Sequence, residues 1–206
     1  MALSNYSELK TKIENTLDRN DIDTHIVDFI TMAENAFNRD IRHWQMEARA
    51  NTALRNQYSS LPDDFLEPIR LQLTTGNTST LEMVGTFEIS KLRMEANDTT
   101  GTPANFTLID GSIEVFPTPD TDYQLQILYY KRIPHLVSNT DTNWILANHP
   151  DAYVYGSLIH SAPFLMDDER TATWAALYKA AVAAINTESV RSKTSGSGGR
   201  VKIRSY

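Results

Sequence analysis

The beginning of the chain repeats apolar residues with the period of an α-helix. Asn5 and Glu8 have the spacing of a capping box, which predicts a first amphipathic helix after them. A second helix is predicted from Asp23 or Thr24 to about Glu47. Because each helix is apolar along one stripe only, each needs other elements to pack against. The apolar positions are Tyr6, Leu9, Ile13 and Leu17 in the first helix and Ile26, Phe29, Ile30, Ala33, Phe37, Ile41 and Trp44 in the second.

Two more helices are predicted late in the chain, within residues 142–189. The first begins at Pro150, whose missing N–H and fixed φ suit a first helical position, and runs to about Leu165. The acidic residues 167–169 precede the second, since carboxylates favour the positive end of the helix dipole. The early and late helices are therefore expected to share one core. The apolar stripe of the last helix is Trp174, Leu177, Ala181 and Ile185.

The middle of the chain, residues 50–132, changes to the period of β-strands. A strand with Leu54, Asn56 and Tyr58 on one face is followed by a turn over residues 61–65. Two further strands are predicted around a loose hairpin, with Ile69, Leu71 and Leu73 on the first and Leu81 and Met83 on the second.

The second half of this region contains a short helix and a hairpin. Thr86 is predicted to cap a helix through Met94, with Phe87, Leu92 and Ile89 turned inward. Asp110-Gly111 tolerates positive φ at both central turn positions and predicts a tight hairpin. A last strand carries Tyr123, Leu125, Ile127 and Tyr129 at alternate positions.

These elements predict an α+β fold, in which a bundle of early and late helices carries an inserted antiparallel β subdomain and an extended C-terminal arm. The expected segments are residues 1–49 and 133–189 for the bundle, 50–132 for the insertion and 190–206 for a flexible basic arm.

Composition narrows the class of protein. The chain has 206 residues, of which 41% are hydrophobic and 22% charged, as in ordinary globular domains. No run approaches the roughly 18 apolar residues of a membrane-spanning helix, and the N-terminus lacks the pattern of a signal peptide, so a soluble cytosolic protein is expected. The chain has no cysteine, which excludes disulfides, thiolate zinc sites and cysteine nucleophiles.

Charge separates the body from its tail. All acidic residues lie at or before Glu188, so residues 1–189 carry a formal charge of −12 and residues 190–206 carry +5. An acidic body argues against broad nucleic-acid binding, which depends on neutralising phosphates. The tail begins as a Gly/Ser linker and ends in RVKIRSY, in which apolar and basic residues alternate. Two interpretations remain open: a frayed terminus, or an arm that docks on a partner by strand addition.

No motif in the chain indicates catalysis, a cofactor or a metal. There is no GxGxxG, GxxxxGK[ST], GxSxG or HExxH sequence. Acidic clusters at residues 63–64 and 167–169 lie where a turn and a helix start explain them. We therefore predict no catalytic, cofactor-binding or metal-binding residue. The histidines, for which structural roles are expected, are His25, His43, His135, His149 and His160.

The order of several segments resembles a known family. The segments are LPDDFLEPIRL, DGSIEVFPTP, YQLQILYYKRIPHL, TNWILANHPDAYVYGSL and DDERTATWAALYKAA. Together they resemble the head-to-tail adaptors of tailed bacteriophages, which are connector or head-completion proteins that bind beneath the portal. The resemblance extends over nearly the whole chain and is weakest over residues 76–105.

The resemblance implies a structural, non-enzymatic protein of the virion, made in the host cytoplasm and placed at the head–tail interface. It implies a ring of copies matched to the twelvefold portal, a channel that DNA crosses without sequence-specific binding, and distal tail or nozzle proteins as further partners. No cofactor and no membrane contact are implied. The residues of the arm that would contact the portal are Arg191, Lys193, Arg200, Val201, Lys202, Ile203, Arg204 and Tyr206.

Two alternatives from other classes remain. A small DNA-associated protein would bind DNA through its basic tail, with steep salt dependence. A tail-associated hydrolase would need a pair of carboxylates, and each pair in the chain has a structural explanation.

Overall fold

The protein divides into a helical unit and a β unit. The computed structural model describes residues 3–19, 21–76, 78–165 and 169–195. The helical unit is formed from residues 1–46 and 133–206, and the β unit is Glu47–Arg132. Helices and antiparallel-rich sheets thus confirm the α+β class, with the β unit inserted between early and late helices.

The helical unit contains five α-helices in its described parts. Helix α5 contacts all of the other four, and its buried residues include Tyr153 and Leu158. It is therefore the central helix of the bundle. The helices are α1 (Tyr6–Leu17), α2 (Asp23–Asp40), α4 (Trp144–Asn148), α5 (Pro150–Leu165) and α6 (Thr171–Thr194).

The start of α1 confirms half of the predicted capping box. Asn5 Oδ1 accepts a hydrogen bond from Glu8 N at 2.9 Å. The Glu8 carboxylate turns instead to Ser4, accepting from its backbone N at 2.7 Å and lowering the Glu8 pKa. Two further amides of the first turn, at Tyr6 and Ser7, donate to backbone carbonyls of residues 139–141. A distant loop thus completes the cap of α1.

Helix α2 ends earlier than predicted, at Asp40 instead of about Glu47. Asn186 on α6 accepts from Arg42 N at 2.9 Å and donates to Asp40 O at 3.0 Å. The chain continues in a short 3-10 turn, Trp44–Met46. The backbone N–H of Trp44 donates to Ser189 Oγ at 3.0 Å. Side chains of α6 therefore satisfy backbone groups that another helical turn would have paired.

The late helices match the prediction in part. Helix α5 runs from Pro150 to Leu165 as expected, but α4, capped by Asn143, was not predicted. In α6 the predicted stripe is buried except for Leu177, which is 40% exposed. Tyr178 packs instead, with its ring 6.2 Å from that of Phe37.

A buried carboxylate joins the two chain segments of the helical unit. Glu34 on α2 is 1% exposed and lies 2.6 Å from His135 Nδ1 through its Oε2 atom. Its Oε1 atom accepts from Leu136 N at 2.9 Å and from Tyr153 Oη at 3.2 Å. Burial, followed by the charge of Glu34, raises the pKa of Tyr153 well above its ordinary value. We call Glu34, His135, Leu136 and Tyr153 the Glu34 cluster.

The neighbouring amide side chains extend this cluster. Asn38 Oδ1 accepts from Ile133 N at 2.8 Å, at the first residue after the β unit. Asn143 donates to Pro134 O at 3.1 Å and accepts from Leu146 N at 3.0 Å. Backbone groups of the returning chain are thus paired with polar side chains inside the bundle.

The β unit consists of two four-stranded sheets, a short pair of strands and one helix. The sheet orders are β1-β10-β3-β4 and β2-β8-β7-β5, and β6 pairs with β9. The strands are β1 (Glu47–Leu54), β2 (Tyr58–Ser60), β3 (Phe65–Leu73), β4 (Ser79–Thr80), β5 (Glu82–Met83), β6 (Thr100–Gly101), β7 (Asn105–Ile109), β8 (Ser112–Phe116), β9 (Thr118–Pro119) and β10 (Tyr123–Lys131), and the helix is α3 (Thr86–Glu95).

The predicted hairpin and last strand are confirmed. Asp110 and Gly111 have φ values of 43° and 69°, and β7 pairs antiparallel with β8 around them. The alternate residues of β10, from Tyr123 to Tyr129, are buried in the core of the unit. The Tyr129 hydroxyl donates to Asp64 Oδ1 at 2.8 Å. Burial, followed by this contact with the Asp64 carboxylate, raises the pKa of Tyr129 to about 12.

Three details of the β unit differ from the prediction. The predicted strand around Leu81 is divided between β4 and β5, which belong to different sheets. The pairs β5–β7 and β6–β9 are parallel, so the insertion is not wholly antiparallel. Tyr58 and Phe87 face solvent, because Leu54 and Ile89 occupy the buried positions nearby.

Gly156 marks a close crossing of three helices. A Cβ atom there would lie 3.2 Å from Ala33 Cβ on α2, 3.4 Å from Tyr178 Cε2 on α6 and 3.5 Å from Phe37 Cε1. Because Gly156 has no side chain, α2 and α6 can approach α5 closely at this point.

Loss of the buried carboxylate should destabilise the helical unit. We expect Glu34→Ala to lower its free energy of unfolding by about 2–5 kcal/mol, because two buried donors lose their acceptor at about 1–3 kcal/mol each. All three tryptophans belong to this unit, so tryptophan fluorescence during urea unfolding measures the change. The matched control Glu34→Gln keeps an acceptor and should lose less. Equal stability of Glu34→Ala and the unmodified chain would contradict the role of the cluster.

Substitution of Gly156 should depend steeply on side-chain size. Gly156→Ala should be close to neutral, since a gain of about 1 kcal/mol in helix propensity offsets moderate crowding. Gly156→Leu should cost about 1–3 kcal/mol or more, because the helices must separate to admit it. The same urea titration compares the two variants, and a stable Gly156→Leu protein would show that the crossing is not tight.

Candidate assembly surfaces

The final helix, α6, is attached to the bundle close to its C-terminal end. Ile185 and Ser189 are buried, and Ser189 Oγ accepts from the backbone of Trp44. One turn earlier, Asn186 pairs with the end of α2 as described above. Helix α6 is therefore held by the bundle to within about one and a half turns of its end at Thr194.

The predicted arm residues divide into two groups. Arg191 and Lys193 were predicted in a flexible arm from residue 190, but both lie in the last turn of α6, where cations favour the negative end of the helix dipole. Arg200, Val201, Lys202, Ile203, Arg204 and Tyr206 lie outside the described residues.

Helix α3 presents large apolar side chains to solvent. Phe87 is 80% exposed and Met94 83% exposed, whereas Ile89 is fully buried. Phe87 and Met94 are seven residues apart and so lie on one side of the helix. We call this pair the α3 ridge. The sequence predicted the helix but placed Phe87 inward. The seven-residue spacing of Phe87 and Met94 was the sequence signal that could have identified this ridge.

A groove of about 600 Å³ runs between α5 and α6. Gly156 and Ile159 line it from α5, and Val182 and Ala183 line it from α6. Tyr178 also lines it and donates to Asp40 Oδ2 at 2.9 Å; burial and this carboxylate raise the Tyr178 pKa well above its ordinary value. We call this feature the α5/α6 groove.

A second groove of about 600 Å³ lies between α1 and α5. Val154 and Tyr155 line it from α5, together with Lys12 and Asn15 from α1. Its carboxylates, Glu8 and Asp151, each belong to the first turn of a helix. They fit a structural use at helix starts rather than an acid–base pair.

The histidines make structural contacts. Ring contacts join His25 to Phe164 and His43 to Trp144, and His135 belongs to the Glu34 cluster. His149 lies 3.5 Å from Glu188, and His160 lines the α5/α6 groove.

The described residues contain no group of three or more His, Cys, Asp or Glu side chains that could hold a metal ion. Among those same residues, no helix is long and apolar enough to cross a membrane.

Comparison with known proteins supplies the family. No curated protein matches the chain. The model of one family, described as SU10 adaptor protein, matches residues 4–202. The match extends over both helical segments and the β unit, and it agrees with the resemblance drawn from the sequence segments. The chain therefore belongs to the SU10 adaptor protein family, which confirms its assignment to the phage head-to-tail adaptors.

Proposed function

We propose that this protein forms a ring beneath the portal of a tailed phage, extends the DNA channel and gives the tail an attachment surface. Membership of an adaptor family supports a structural role in the virion. The ring is matched to the twelvefold portal, and distal tail or nozzle proteins bind on its other side. In a closed ring, each copy contacts the next through two different surfaces.

The observation that carries the proposal is the anchoring of α6 next to a basic tail. Asn186 and Ser189 fix the helix on the bundle, and Arg191 and Lys193 begin the basic segment immediately after them. In the proposal, residues 196–206 continue from this base to the portal. Val201 and Ile203 supply one face of an added strand, and the basic side chains at the alternate positions 200, 202 and 204 fix its register.

The charge of the body supports passage of DNA without binding. Residues 1–189 carry a formal charge of −12, which repels phosphates and gives no counterion release. The +5 tail is engaged by the portal in this proposal, and so is withheld from DNA.

Removal of the arm should abolish portal binding and leave the body folded. The truncation should begin at residue 196, because Ser195 is the C-cap of α6 and cutting at residue 190 would remove its last turn. We expect no co-sedimentation of the truncated chain with the portal and an unchanged urea transition. Full-affinity binding of this truncated chain would refute portal docking by the arm.

Point variants separate strand addition from simple charge attraction. Val201→Asp with Ile203→Asp should weaken portal binding at least about tenfold, or 1.4 kcal/mol, because the apolar face of the strand is lost. Arg200→Gln with Lys202→Gln and Arg204→Gln should weaken it less and reduce its salt dependence. The reverse ranking would indicate that charge alone holds the arm.

A gel shift with duplex DNA at low salt tests the DNA-binding alternative. We expect no shift for the full chain, because the acidic body outweighs the tail. Binding that falls steeply with salt and disappears on removal of residues 196–206 would favour the DNA-associated protein instead.

A further inference from the structure

The α3 ridge is the most exposed apolar feature of the described chain, with Phe87 at 80% and Met94 at 83% exposure. Solvated single apolar residues are common, but two large ones on the same side of one short helix mark an interaction surface. We propose that the α3 ridge of one copy seats in the α5/α6 groove of the next copy. The inference rests on the proposed ring and names the two surfaces that close it.

The helix that carries the ridge is held firmly. Ile89 is fully buried beneath it. Arg93 is ion-paired to Glu114 at 3.1 Å and donates to Val115 O at 3.1 Å, both on β8. Its guanidinium also lies over the Phe116 ring, 5.4 Å from the ring centre. Little conformational entropy is therefore lost by the helix when the ridge binds.

The surface between the two ridge residues suits a buried contact. Ser90 lies between them and donates its hydroxyl to Thr86 O at 2.9 Å. Its hydrogen-bonding group is thus satisfied within the helix and loses little when water is excluded. Met94 adds a flexible side chain that adapts to the shape of its partner.

The lengths of the two surfaces match. Phe87 and Met94 are two helical turns apart, about 10.5 Å along the axis. The α6 wall of the groove extends from Ala175 to Asn186, about 16 Å by the same rise. Two alanines of α6, Ala175 and Ala183, line this wall, and their small side chains leave room for the two large ones.

The charges are complementary. Glu88 and Glu95 follow the ridge residues by one position each and therefore repeat with the same two-turn spacing, although Lys91 lies 3.8 Å from Glu95. The groove carries Lys179 in its wall, and Arg39 lies near the lining residue His160, whose pKa is lowered by burial and then by the Arg39 charge. Asp40, the acid of the groove, already accepts the Tyr178 hydroxyl. In the proposed contact, the acidic residues beside the α3 ridge therefore lie against the basic residues of the α5/α6 groove.

Ridge and groove are different surfaces, so their contact is head-to-tail and leaves one of each free on every dimer. Such contacts close into rings when the rotation between copies is right. A ten-residue helix buries less than the roughly 1,000 Å² of a stable interface, so the contact is expected to be weak until the portal brings copies together.

Engineered cysteines test this pairing, because the chain has none of its own. Met94→Cys combined with Ala183→Cys should give a ladder of covalent oligomers when portal-bound complexes are oxidised. Each single variant should stay monomeric, and a mixture of the two should give dimers only. Self-crosslinking of either single variant, or portal-bound double variant that does not crosslink, would overturn the inference.

The same oxidation is carried out on the chain alone at high concentration. Crosslinking there without portal binding would support the ridge–groove contact and reject the proposed function. Portal binding with no crosslinks in either sample rejects the contact and retains the proposed function.

Surface variants give a second test with a matched control. Phe87→Ser should reduce the number of copies recovered with the portal at least about tenfold. Val137→Ser changes a residue that is equally exposed, at 79%, but lies outside the ridge, and should have no effect. Equal losses for the two variants would contradict the inference.

A charge exchange checks the orientation of the contact. Glu88→Lys should weaken assembly about threefold or more, and addition of Lys179→Glu should restore it. If Lys179→Glu does not restore assembly in the Glu88→Lys protein, Glu88 does not lie opposite Lys179, and the proposed alignment is wrong.

Discussion

Burial of Glu34 is the constraint on which the rest of the helical unit depends. A carboxylate removed from water is tolerated only where donors replace its hydration. Those donors come from His135, Leu136 and Tyr153, about a hundred residues further along the chain. Helix α2 therefore reaches a satisfied state only when the chain has returned from the β unit and α5 has docked. The cluster selects one arrangement of the early and late helices.

The same dependence explains how an 86-residue unit can be inserted into a helical bundle. The return of the chain is fixed at its first residue, where Ile133 N donates to Asn38, and again at the cap of α1 by residues 139–141. The bond at Ile133 pairs a buried backbone amide, and the bonds from Tyr6 and Ser7 pair amides that have no partner within α1. Polar contacts thereby join the chain segment that precedes the insertion to the segment that follows it.

Two helices of the described chain are held by several contacts close to the surfaces that we propose for assembly. Helix α6 is fixed by Asn186 and Ser189 just before the basic tail, and α3 is fixed by Ile89 and Arg93 beneath its exposed ridge. The proposed α3 ridge is thus carried by a helix that is already ordered. Association then costs less conformational entropy than it would from a mobile segment.

The sequence by itself determined the elements whose signals are local. The periodicity of α1 and β10, the proline at the start of α5 and the Asp110-Gly111 turn all act within a few residues, and each is confirmed. The family and the α+β class followed from their order along the chain. The predicted arm residues from Arg200 to Tyr206 stay a prediction.

Only the tertiary structure decided the features that depend on contacts between residues far apart in the chain. Helix α2 stops at Asp40 because Asn186 and Ser189 supply its missing partners, and no pattern within residues 23–47 contains that information. Phe87 and Leu177 are apolar residues at helical spacing, yet they face solvent, since burial depends on which surface is opposite. The Glu34 cluster was not predicted either, because a single acidic residue on a helix indicates exposure until its donors are known.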